Sequence, residues 1–247
     1  MPIRSSGLVD SLFSLAIATP LNYEQSMNPI QKILFLSLMV IPPFAQCRAE
    51  GWQVTSQKDG ITVYKKDMPG TSLIALRGET VIEEGMPRIV GVLENVERAK
   101  EWMANIAESY NIEKKTETDR WEYNRTKTPW PLQDREFVIH TLTRLIKGPE
   151  PLLVIEMVSG ENPKKPHTPG VVRGELIDSR FILKYMGVRK THLTCEILAD
   201  PKGAIPKWVV NLFQSKWPVD TINGLKKQLQ KQDIVENQNL ARALLNP

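Results

Sequence analysis

The chain has 247 residues, of which 41% are hydrophobic and 24% charged, with a formal net charge of +4. That length suits one mid-sized globular domain or two small ones, and the composition is ordinary for a folded protein. The positive excess is scattered in pairs such as Lys65-Lys66, Lys114-Lys115, Lys164-Lys165 and Lys226-Lys227, with acids between them. A solvated surface is expected rather than a nucleic-acid stripe; a weak, transient attraction to anionic membrane surfaces is compatible with this charge.

Residues 27–49 read as a signal peptide. Lys32 supplies the positive start, and residues 33–41 (ILFLSLMVI) form an apolar run. That run is shorter than the ~20 residues needed to span a bilayer as a helix. Pro42 and Pro43 break it, and Ala49 offers a cleavage point before Glu50, with Ala45 as the nearby alternative. On this reading Met27 is the initiator and residues 1–26 are a spurious upstream extension. The remainder is exported to the periplasm or secreted; an uncleaved N-terminal anchor is the competing reading. Cleavage leaves one cysteine, Cys195, within the alternating run Leu193-Thr194-Cys195-Glu196-Ile197. A lone cysteine forms no internal disulfide, so the fold rests on its core and the thiol reads as structural.

Trp52 to Val54 opens a strand, and Lys58-Asp59-Gly60 signals a tight turn, because Asp-Gly tolerates positive φ. Ile61-Thr62-Val63-Tyr64 and residues 72–82 continue with β character. Ile89, Val92 and Leu93 recur at helical spacing behind Pro87, and Ala99, Trp102, Met103 and Ile106 continue it. Two short helices joined near Asn95 are expected. Strands return around Tyr110-Asn111-Ile112-Glu113 and Trp121-Glu122-Tyr123-Asn124, and the prolines of residues 128–132 (TPWPL) interrupt them. Residues 136–146, 152–158, 171–183 and 191–198 read as four more strand regions, with a long loop at 159–170. Ile205, Trp208, Val209, Leu212 and Phe213 then form one helical stripe, extended by Val219, Ile222, Leu225 and Leu229. Pro218 is expected to kink this helix, and residues 233–247 read as a flexible tail.

The order is strands, two short helices, about six strands, then one long helix. Short turns between strands imply a mainly antiparallel sheet, and a curved sheet must have its concave face covered. The fold class is therefore α+β: a curved antiparallel sheet wrapped around a long C-terminal helix. One domain is expected over residues 50–232.

Several pieces together resemble the START (StAR-related lipid-transfer) domain family. They are Asp59-Gly60-Ile61 with Val63-Tyr64; Trp102; Pro129-Trp130-Pro131-Leu132 followed by Asp134-Arg135-Glu136-Phe137-Val138; Gly170-Val171-Val172-Arg173; and Asp200-Pro201-Lys202-Gly203 with Ile205-Pro206-Lys207-Trp208. The resemblance runs from Trp52 to about Lys231. It implies a helix-grip fold with a tunnel between sheet and helix, holding one sterol, phospholipid or other apolar ligand, without enzyme chemistry or a required cofactor. One departure stands out. Some members carry a buried acid–arginine pair in the tunnel, but six positions after Arg135 this chain has Thr141. The polar contact for a ligand is thereby left open.

In a period-two strand, Phe137, Ile139, Thr141 and Thr143 share one face, and Val138, His140, Leu142 and Arg144 the other. The first face is assigned to the ligand, together with Leu153, Ile155 and Met157 on the next strand region. Trp208, Leu212 and Phe213 form the ceiling. For each of these residues plain core packing is an equal alternative. Arg173 is left open as a headgroup contact, and Arg135 is read as a structural partner of an acid. A dry tunnel of ~500 Å³ would cost roughly 12 kcal/mol at ~24 cal/mol per Å³. That rivals a domain's net stability of about 5–15 kcal/mol, so such a tunnel is expected to hold ligand or water. The 159–170 loop reads as a passive surface loop, with a lid as the alternative.

His140, His167 and His192 lack metal-ligand spacing, and neither a Gly-x-Ser-x-Gly elbow nor a phosphate-binding glycine loop occurs. No catalytic residue, metal or cofactor is expected, and the chain is expected to be a monomer. The competing functional reading is a helix-grip enzyme, of cyclase or dehydratase type, acting on a bound apolar substrate.

Overall fold

The computed structural model describes residues 51–205 and 207–245, all within the unit Ala49–Pro247. The signal-peptide reading of residues 27–49 and the extension 1–26 lie outside the described residues, and so do the side chains of residues 207–215.

The first hairpin is β1 (Gln53–Lys58) and β2 (Ile61–Asp67), with Lys58 paired to Ile61. Asp59 and Gly60, at φ 53° and 71°, make the two-residue turn that the Asp-Gly signal predicts. β3 (Ile74–Ile82) leads into α1 (Met86–Glu94), which starts with Pro87 in its first turn, and then a short 3-10 helix (Val96–Glu101). The junction falls at Asn95, as the spacing predicts. Trp102 closes the 3-10 turn and Ile106 already begins β4 (Ile106–Lys114), so the helical spacing of Trp102, Met103 and Ile106 does not form a second α-helix.

The remaining strands are β5 (Asp119–Thr126), β6 (Arg135–Ile146), β7 (Leu152–Ser159), β8 (Val172–Arg173), β9 (Glu175–Gly187) and β10 (Lys190–Asp200). The strand expected over 171–183 is split at Gly174. A Cβ there would lie 2.5 Å from the Phe137 ring, so any larger residue would have to displace that ring. One ten-stranded sheet results, in the order β1-β2-β3-β10-β9-β7-β6-β5-β4. All its pairings are antiparallel except that of β8 with β6.

The long helix α2 (Lys207–Gln228) runs as one element through Pro218. Its second half lies on β3, because a Cβ on Gly78 would come within 2.9 Å of both Ile222 Cδ1 and Pro218 Cβ. Ile222 and Leu225 are fully buried there, with Phe181, Leu183, Leu193 and Cys195 in the same cluster as Ile89 and Val92 of α1. The face of the sheet that carries Gly78 and Cys195 is therefore the inner, helix-covered face. Burial pushes the Cys195 thiol up to about 12, which keeps it protonated and inert.

The expected flexible tail is corrected. Residues after Asp233 continue into a helix, α3 (Gln238–Leu245), capped by Asn237 Oδ1, which accepts the Leu240 N–H at 2.8 Å. Leu240 is buried, and Ile234 and Leu240 join the same apolar cluster as α1. The residues that look polar in sequence carry the docking bonds: Asn237 Nδ2 donates to Glu94 at 2.7 Å, and Asn237 N to Pro87 O at 3.0 Å.

Candidate functional site

The strand registers define the inner face row by row. One row runs Arg120, Thr141, Met157, Ser179, Ile197 from β5 to β10. The next runs Thr143, Ile155, Phe181, Cys195, Gly78 and ends under α2. A third runs Leu145, Leu153, Leu183, Leu193, Thr80. Two rows are apolar over most of their length, and the row through Arg120 is not.

Thr141, Thr143 and Ser179 are 0%, 8% and 3% exposed, and none of their hydroxyl oxygens has a hydrogen-bond partner among the described residues. A buried hydroxyl left without a partner costs about 1–3 kcal/mol. Native cores keep such groups few, so three on neighbouring positions of one face call for an explanation. Beside them, Arg120 and Glu122 are almost wholly buried, and Arg120 Nε donates to Glu122 Oε1 at 2.5 Å.

This pair answers the departure noted in the sequence. Thr141 itself brings no charge, but its register partner on β5 is Arg120. The guanidinium enters the same inner face from the neighbouring strand. The sequence reading missed both residues because Trp121 and Tyr123 are the apolar members of β5 and draw attention to the other side. Their side is the outer face, where Trp121 stacks on His140 at 4.8 Å and Tyr123 lies under Lys165 at 4.0 Å. The period-two signal was present; the sign of the burial was not.

Of the residues proposed from sequence, Ile139, Thr141, Thr143 and Ile155 are buried on the inner face, and Met157 packs partly buried against the core. Phe137 shares their side and rests on Gly174. Trp208, Leu212 and Phe213 fall in the stretch of α2 whose side chains lie outside the described residues.

Arg173 is corrected as a ligand contact. β8 sets it against the outer side of β6, where its guanidinium meets Glu136 at 3.0 Å. Glu136 is fully buried and also accepts from Tyr123 Oη at 3.0 Å and Thr168 N at 2.9 Å. Burial works to raise its pKa, but the bonds from Thr168, Arg173 and Tyr123 outweigh it and bring it down to about 2. The same bonds fasten the 159–170 loop to the outer face, away from the inner hydroxyls.

Arg135 has a structural role, through a different partner from the one expected. Asp134 is taken by Arg125 at 2.8 Å. Arg135 is buried and donates to three carbonyls, Gln133 O at 2.6 Å and Pro201 O and Lys202 O at 3.4 Å each. It thereby ties the start of β6 to the approach to α2. His140 Nε2 lies 2.8 Å from Asp119 Oδ1 on the outer face, outside the inner rows.

Two open depressions lie elsewhere on the described surface. One of about 260 Å³ adjoins Gly91 and Asn237, and one of about 610 Å³ adjoins Tyr185 and His192 at the β9–β10 turn. Neither is lined by the unpartnered hydroxyls.

Comparison with known proteins agrees with this architecture. START domain-containing protein 10 of Mus musculus is 30% identical over 171 residues, covering 68% of this chain; the chain spans only 57% of that relative's length. Phosphatidylcholine transfer protein of Bos taurus is 26% identical over 162 residues, covering 65% of this chain and 75% of the relative. The crystal structure of a StAR-related lipid transfer protein fragment from Xanthomonas axonopodis is 25% identical. It superposes with a TM-score of 0.65 over 74% of this chain and 100% of that one. The START domain family profile matches residues 44–233, nearly all of the described fold, and the chain belongs to the START domain family.

Proposed function

We propose that this protein is a non-catalytic carrier that holds one lipid or other apolar molecule against the inner face of the sheet, beneath α2, and passes it between membranes. The observation that carries this reading is the inner face itself. Apolar residues Ile139, Ile155, Leu153 and Phe181 surround hydroxyls that are buried and have no partner among the described residues. A ligand that is apolar over most of its surface, with a few polar atoms, complements such a face. The relatives named for lipid transfer support it.

Export to the periplasm or outside the cell is part of the proposal and rests on residues 27–49. Brief contact with a membrane is also part of the proposal, and Trp130 is the candidate for it. It is 91% exposed, between two prolines at the tip of the β5–β6 connection. An indole held out in water suits the interfacial region of a bilayer.

The test is native mass spectrometry of the full chain purified from its own host, with extraction and identification of what travels with it. One lipid per chain is the expected result. A chain that carries nothing, and takes up no lipid from vesicles after purification, would overturn the carrier reading.

A further inference from the structure

The inner face carries a compact patch of buried hydroxyls. Thr141 and Ser179 lie in one row, separated by Met157 of β7, and Thr143 is two residues along β6 on the same side. Strands stand about 4.8 Å apart and alternate residues about 7 Å apart. The three hydroxyls therefore span a patch of roughly 10 Å. Each is more than nine-tenths buried and has no partner among the described residues.

The charge beside them is already neutralised. Arg120, the register partner of Thr141, is held by Glu122 at 2.5 Å. The other buried arginine on this side of β6, Arg135, is turned to three main-chain carbonyls at the strand's start. A phosphate set against the hydroxyl patch would need a cation released from one of these arrangements, and would lie close to the Glu122 carboxylate. A hydroxyl or an ester carbonyl needs neither. It gives or accepts hydrogen bonds with Thr and Ser side chains, which serve equally as donors and acceptors.

Resting on the carrier reading, we infer that the part of the ligand reaching β6 and β9 is an uncharged oxygen-bearing group, a hydroxyl or an ester. The ligand class is accordingly a neutral lipid of sterol or acylglycerol type. The hydroxyls of Thr141, Thr143 and Ser179 are its polar contacts, and the surrounding Ile139, Ile155 and Phe181 hold its apolar body.

The experiment titrates the full chain with three fluorescent probes: a polyene sterol, a pyrene-labelled diacylglycerol and a pyrene-labelled phosphatidic acid. Thr141→Val and Ser179→Ala are made singly and together, because they remove the oxygens with little change of volume; thermal melts confirm that each variant is folded. One or both neutral probes should bind one per chain, at least tenfold more tightly than phosphatidic acid. Each substitution should weaken that binding by about tenfold, the effect of one lost hydrogen bond of about 1.4 kcal/mol. Sterol binding alone assigns the ring hydroxyl as the buried group; diacylglycerol binding alone assigns the glycerol oxygens. Phosphatidic acid binding as tightly as the neutral probes would overturn the inference and leave the carrier reading standing. Neutral binding that is indifferent to both substitutions would do the same. If none of the three probes binds, the carrier reading fails first.

Discussion

Glu136 is fully buried, and its charge is answered 3.0 Å away by Arg173 from the only parallel pairing of the described sheet. Removing one partner of a buried pair leaves an uncompensated charge and costs about 3–5 kcal/mol. Arg173→Met should lower stability by that order. The pH dependence has a definite sign. The folded-state pKa of about 2 lies below the ordinary 4.5, so the stabilisation is complete above about 4.5 and is lost as pH falls towards 2. Without Arg173 the carboxyl's pKa rises, and acid unfolding followed by circular dichroism should begin at a higher pH. An unchanged acid midpoint would refute this account of the loop anchor.

Gly224 and Trp102 meet backbone to backbone. A Cβ on Gly224 would lie 1.9 Å from the Trp102 carbonyl oxygen. In an exposed helix, glycine to alanine gains about 1 kcal/mol. Here Gly224→Ala should instead destabilise by about 1–3 kcal/mol, because α2 must lift from its seat. Gly78→Ala should cost less, since its close neighbours Ile222 and Pro218 are side chains. Urea unfolding of the two variants gives the order directly.

The sequence made the fold legible because each signal was local. The Asp59-Gly60 turn, the break at Asn95, the prolines of 128–132 and the alternation in 136–146 each depend on a few adjacent residues. The site was half legible. Period two placed Ile139, Thr141 and Thr143 on one face, and the structure buries all three. It could not tell which side of β5 looks inward. The outer side, with Trp121 and Tyr123, is itself covered by the 159–170 loop, whose anchor at Glu136 is 23 residues or more from it in sequence along Thr168 and Lys165. Long-range covering of this kind leaves no periodic trace. For the same reason nothing in the sequence marks Arg120 and Glu122 as buried, and residues 233–247 read as a flexible tail.

The Arg120–Glu122 pair separates stability from binding. Replacing both members of a buried ion pair with apolar residues of similar volume is often neutral or stabilising by about 1–4 kcal/mol. Arg120→Met with Glu122→Leu should therefore melt at or above the parent temperature. If the pair also orients the bound lipid beside Thr141, the same double variant should bind the neutral probes more weakly. Retained binding together with a raised melting temperature would reduce the pair to a structural element.

α3 should be part of the stable domain. Val235 O lies where a Cβ of Gly91 would be, at 2.0 Å, and Arg88 donates to Leu229 O, Lys231 O and Ile234 O at 2.8–3.3 Å. Leu240→Ala should cost about 2–4 kcal/mol, the range for a buried leucine. Truncation after Asp233 should cost more, because it also uncovers α1. Hydrogen exchange offers the check: α1 amides should lose protection in the truncated chain, and unaltered protection would show that α3 is merely appended.

Trp130 is the reverse case, a large apolar side chain 91% exposed that contributes little to folding. Surface substitutions away from special features change stability by less than about 0.5 kcal/mol, so Trp130→Ser should leave the melting temperature unaltered. Transfer to a membrane is a different matter. The connection that bears Trp130 is tied through Arg135 to the approach to α2, because Pro201 O and Lys202 O accept from the same guanidinium that holds Gln133 O. A membrane touching Trp130 therefore touches the end of the sheet at which α2 begins. Co-sedimentation with vesicles, and transfer of a fluorescent lipid between two vesicle populations, should both fall in Trp130→Ser, while one-to-one binding of the same lipid in solution stays unchanged. Equal loss of binding and transfer would place Trp130 in the ligand site, and no loss of either would remove it from the membrane face.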